Sequence, residues 1–153
     1  MPSRSTPSAA AQPAVSPQST YARLIEQQFN VTYFLGCDSA GAEYKLIVDN
    51  STSPYGTAAG GAVTANANTI VAGVYSAATT TGGLYVNGVL VGTSTFTAPT
   101  ASSLPLAIMQ AYANQGSFWH GYFAESIVYN RALSASEITR VNRYLAGRYG
   151  VVM

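Results

Sequence analysis

Gly121-Tyr122-Phe123-Ala124-Glu125-Ser126-Ile127-Val128-Tyr129-Asn130-Arg131-Ala132-Leu133-Ser134-Ala135-Ser136-Glu137-Ile138-Thr139-Arg140-Val141-Asn142-Arg143-Tyr144-Leu145-Ala146-Gly147-Arg148-Tyr149-Gly150 is the stretch whose reading decides the fold. Its first part alternates small and large residues, as a strand does, and belongs to a last strand over 118–129 that Gly121 is able to bend. The pattern then changes to a helical one. Ser134 and Glu137 have capping-box spacing, so each can satisfy an orphan backbone N–H of the other. Leu133 and Ile138 stand where a hydrophobic staple puts them. Ile138, Val141, Leu145 and Tyr149 recur on one helical face, and Gly147 or Gly150 ends the helix. The last strand therefore runs into one terminal helix, about 134–148, whose apolar stripe must pack on something.

Upstream the chain reads as strands and turns. Runs at 21–26, 31–36 and 43–49 are strand-like, and the turn cluster Asp38-Ser39-Ala40-Gly41 makes the last two a hairpin. Residues 69–75 form another strand. In 84–91, Asn87-Gly88 supplies the positive φ angles of a two-residue hairpin turn. Residues 106–112 read as a strand and Asn114-Gln115-Gly116 as a turn. The Gly/Ala/Thr-rich stretch 50–68 reads as a loop, with one short strand at about 61–64. Residues 1–20 lack apolar periodicity and are rich in Pro, Ser, Ala and Gln. They read as an N-terminal arm, mobile alone or docked on a partner. The domain proper is then 21–153, an all-β antiparallel sandwich closed by one helix.

Composition narrows the function. Of 153 residues, 48% are hydrophobic and only 8% charged, against roughly 25% charged in an average domain. The surface is thus covered by Ser, Thr, Asn, Gln, Gly and Tyr, which suits an assembly or an extracellular setting. One Lys, six Arg and a net charge of +1 give no convergent cationic footprint for nucleic acid. No apolar run is long enough for a membrane span, and the N-terminal residues lack the apolar core of a signal peptide. Cys37, the single cysteine, can form no intrachain disulfide and reads as a small buried thiol. With His120 it makes too few ligands for zinc. Asp38 and Asp49 with loop carbonyls offer one weak calcium site at best. No cofactor or metal is expected.

Three segments together carry a resemblance: Thr69–Tyr75, Leu84-Tyr85-Val86-Asn87-Gly88, and 121–150. The last includes Gly121-Tyr122-Phe123-Ala124-Glu125, Tyr129-Asn130-Arg131-Ala132-Leu133-Ser134 and Tyr144-Leu145-Ala146-Gly147-Arg148-Tyr149-Gly150. The chain resembles the concanavalin A-like, LamG-type jelly-roll superfamily over about its second half. The resemblance implies a jelly-roll sandwich and a role such as decorating capsids or tail fibres. The chain is shorter than that family usually runs, which implies open sheet edges that partner subunits or the N-terminal arm would cover. The clustered acids of the family's hydrolases, of the Glu-x-Asp-x-x-Glu kind, do not occur here.

Catalysis finds little material. Glycoside hydrolysis needs two opposed carboxylates. Of the six present, Glu137 is assigned to capping, Asp38 to a turn and Asp49 to a strand end, and Glu125 is expected to pair with an arginine such as Arg131. Aromatic residues are more abundant: eleven Tyr, five Phe and one Trp. Exposed rings stack on sugars and anchor protein interfaces. Trp119, Tyr112, Tyr122, Tyr55 and Asn114, in or beside loops, are the expected ligand or partner contacts. The sequence points first to a non-enzymatic structural or adhesion module of a virion or extracellular assembly. A stand-alone lectin is the second reading and a glycosidase the third.

Overall fold

A computed structural model describes residues 8–13, 21–28, 32–49, 55–111 and 117–153. The expected sites Tyr112 and Asn114, and the expected turn at 114–116, lie outside the described residues. Among the described residues, ten strands and one helix follow in chain order: β1 Ser8–Pro13, β2 Arg23–Glu26, β3 Tyr33–Cys37, β4 Glu43–Val48, β5 Gly56–Ala62, β6 Thr69–Ser76, β7 Thr81–Val86, β8 Val89–Thr95, β9 Ala107–Ile108, β10 Gly121–Ile127 and α1 Ala135–Tyr149. They form two five-stranded antiparallel sheets, ordered β10-β1-β6-β7-β8 and β5-β4-β3-β2-β9.

Alternation builds the core between the sheets. Val71 and Tyr75 of β6 and Leu84 of β7 meet Leu35 and Cys37 of β3 and Tyr44, Leu46 and Val48 of β4. The intervening residues of β6 and β10, Ile70 and Ile127, point to the outer face and meet Leu145, Ala146, Val141 and Tyr149 of α1. The helix therefore lies on the outer face of the β10-β1-β6-β7-β8 sheet. Its capping box is formed: Ser134 Oγ accepts from the Glu137 N–H, and Glu137 Oε2 accepts from the Ser134 N–H at 2.9 Å. Gly150, at φ 66°, is the left-handed cap that ends it.

Three expectations change. Within the stretch read as an arm, Ser8–Pro13 is strand β1, hydrogen-bonded between β6 and β10. Ala9, Ala10 and Ala11 are buried there, and their small side chains give no apolar periodicity to read. Within the stretch read as a loop, Gly56–Ala62 is the full strand β5. Its glycines and alanines are there because the sheets almost touch. A Cβ at Gly60 would stand 2.6 Å from the Val91 carbonyl oxygen, and one at Gly92 would stand 2.5 Å from that of Ala59. The strand expected at 106–112 shrinks to two residues, ended by the positive φ of Met109. The edges are managed accordingly. β8 runs against β5, β9 is very short, and β10 carries a bulge where Ala10/Ala11 shift register.

Candidate functional site

The helix divides the outer face it covers. Beside its N-terminal end, β6, β7 and β8 leave a groove of about 550 Å³, walled by Leu133, Ala135 and Ile138. Register decides what lines it. Ser76, Thr81 and Thr95 stand side by side across three strands. Val74, Gly83 and Thr93 form the next row, and Tyr85 with Leu90 the row after that. The hydroxyls of Ser76, Thr93, Thr95 and Tyr85 bond no other described residue, while Thr81 Oγ1 shares a 2.7 Å bond with Thr79. Gly83 opens the floor: a Cβ there would stand 2.7 Å from Leu90 Cδ1 and 3.6 Å from the Tyr85 ring. Among the described residues, no Asp, Glu, Lys, Arg or His lines the groove. A neutral ring and a rim of hydroxyls can hold a polyhydroxylated ligand by stacking and hydrogen bonding. They supply neither a general acid nor a metal ligand.

At the other end of the helix, Tyr122, 73% exposed, stands beside Tyr149, Gln12 and Asn68 around a hollow of about 100 Å³. Asn68 donates to the Tyr149 carbonyl at 2.9 Å. Glu125 anchors this end of α1: its carboxylate accepts from Tyr149 Oη at 2.8 Å and Tyr144 Oη at 3.3 Å, and pairs with Arg148 at 3.3 Å. The expected pairing with an arginine is made, by Arg148 rather than by Arg131. Glu125 faces the last helical turn, whereas Arg131 precedes the first and clamps Glu137 at 2.9 and 2.5 Å.

The expected contact residues scatter. Tyr122 is on the surface, and Tyr55, 38% exposed, stands ahead of β5. Trp119 is 4% exposed and belongs to the core, its ring stacked on Tyr44 with centroids 6.0 Å apart. It offers no face to a ligand. Burial pushes the Tyr44 hydroxyl up to about 12 and the Cys37 thiol to about 11, so the fully buried cysteine is a protonated packing group. His120, next to Trp119, is exposed. Among the described residues no three His, Cys, Asp or Glu side chains are grouped to hold a metal. Glu26, fully buried, pairs with Arg23, whose guanidinium lies 4.1 Å from the Phe34 ring centroid. The groove itself was missed. Its only trace in the sequence is two runs of hydroxyl residues, Thr79-Thr80-Thr81 and Thr93-Ser94-Thr95.

Two antiparallel five-stranded sheets closed by one helix make a jelly-roll sandwich, and comparison with known proteins agrees on the fold. The family model described as concanavalin A-like lectin/glucanases superfamily matches residues 3–139, and the chain belongs to that superfamily. A search among curated protein sequences returns no match. Among solved structures, the fold is similar to a heptameric SAP-like pentraxin from Limulus polyphemus. The TM-score is 0.67 at 18% identity, over 92% of this chain and 70% of that one. It is similar to the CBM40 of a Ruminococcus gnavus IT-sialidase, with TM-score 0.70 and 17% identity over 92% and 83%. It is also similar to domain 4 of a GH43 extracellular arabinanase from Geobacillus stearothermophilus, solved with arabinotriose, with TM-score 0.60 and 16% identity over 92% and 68%.

Proposed function

We propose that this chain is a non-catalytic carbohydrate-binding module. The observation that carries the reading is the groove on the helix-bearing face: hydroxyls of Ser76, Thr93, Thr95 and Tyr85 that bond no other described residue, a tyrosine ring and, among the described residues, no carboxylate. The similar structures support it, since two of them are a carbohydrate-binding module and a domain holding arabinotriose. The carboxylates support it too. Glu26 is paired with Arg23, Glu125 anchors the helix, Glu137 caps it, and Asp38 accepts the Ala42 N–H at 2.9 Å in a turn. These four are engaged within the fold, and among the described residues no carboxylate lines the groove. The test is a glycan microarray followed by calorimetry. Wild type should bind at least one glycan, and Tyr85→Ala should lose most of that affinity while unfolding as wild type does. A chain that binds no glycan at millimolar concentration refutes the reading.

A second reading places the module in a larger extracellular or virion assembly, as a decoration, tail or fibre component. The exposed Val89 and Leu90 at the hairpin tip, with Met153 against Gly88, favour it, as does the 8% charge. Subunits would meet there or along the sheet edges. Sedimentation showing monomers at all concentrations argues against this reading.

A further inference from the structure

We infer that the groove selects uncharged oligosaccharides, laid across β6, β7 and β8, and binds them without a metal ion. The inference rests on the carbohydrate-binding reading and specifies its ligand. The groove's volume, about 550 Å³, falls within the roughly 300–1,000 Å³ of ligand sites, larger than one sugar ring needs. Its two sides differ in chemistry. Tyr85 and Leu90 present a ring and an alkyl group over the gap left by Gly83, and Leu133 and Ile138 continue the apolar wall. Such a wall takes the C–H face of a sugar. Ser76, Thr81 and Thr95 form the opposite rim, spanning two strand spacings, about 10 Å. Each hydroxyl both donates and accepts, as sugar hydroxyls do, so the match requires no ion.

Charge sets the selectivity. A sialic or uronic acid carboxylate brought into the groove would lose water and find no cation. Two arginines line a separate hollow of about 130 Å³ that shares Leu133 with the groove, together with Tyr129 and Glu137. There Arg131 is engaged by Glu137, which leaves Arg140 as the cation an acidic ligand would have to reach.

Calorimetric titration with lactose, maltotriose and arabinotriose against 3′-sialyllactose and trigalacturonic acid tests this. A neutral probe should bind at least about tenfold tighter than either acidic one, with equal affinity in EDTA and in high salt. Thr93→Val with Thr95→Val keeps strand shape and removes two hydroxyls, and should weaken binding about tenfold. Arg140→Gln should change nothing. Binding that prefers acidic probes, fades with salt and falls in Arg140→Gln overturns the inference while leaving a carbohydrate-binding module. So does binding untouched by the double valine variant. If no probe and no arrayed glycan binds, the broader reading fails as well.

Discussion

Trp119 and Tyr85 exchange roles between the sequence and the structure. Beside a loop, Trp119 reads as a ring offered to a ligand. In the fold it stacks on Tyr44 of β4, far away in sequence, and the core closes over both. Tyr85 reads as one residue of a hairpin, and only the pairing of β7 with β6 and β8 sets it in the groove. Pattern gives the face of a strand on which a residue lies, but not what covers that face. Trp119 is the chain's single tryptophan, so its emission isolates this site. It should be blue-shifted, resistant to iodide quenching and unchanged by sugar. Trp119→Ala should cost about 3–5 kcal/mol of stability in denaturant unfolding, the usual cost of emptying a core position. Ready quenching in the native state would place the ring on the surface instead.

At the scale of elements, the helix was legible because its signals are local. Ser134 and Glu137 act through neighbours a few positions away and take the predicted role, and of the two glycines expected to end the helix Gly150 is the one that does. The Asn87-Gly88 turn, with φ of 49° and 81°, was legible for the same reason. Strand β5 was not, since its small residues answer to the nearness of β8 rather than to strand propensity. The helix cap makes a pH prediction. Arg131, then the Ser134 backbone and side chain, hold the Glu137 carboxyl at about 2, against 4.5 when free. A depressed carboxyl stabilises the fold at pH above the free value, and that contribution is lost as pH falls from 4.5 towards 2. Wild type should therefore melt above Glu137→Gln at neutral pH, and the gap should close across that window. A gap independent of pH would mean that the carboxylate charge is not what holds the cap.

At the scale of the whole molecule, β1 joins elements that sequence separates. It fills the slot between β6 and β10, and without it the helix-bearing sheet would split into two parts and expose two further strand edges. Deleting Ser8–Pro13, or replacing the fully buried Ala9 by Glu, should abolish cooperative thermal unfolding followed by circular dichroism. A deletion variant that still melts in one sharp transition would return the segment to the status of an appendage.

By itself the sequence determined the class of fold, the terminal helix with its N-terminal cap, the hairpin turns and the near-absence of charge. Each of these is written in contacts between near neighbours or in composition. The tertiary structure alone decided that the N-terminal residues are part of a sheet, that the tryptophan is core, and that serine and threonine residues on three strands share one groove. Those outcomes depend on strand order and register, which bring distant residues within a few ångströms and leave no periodic mark along the chain.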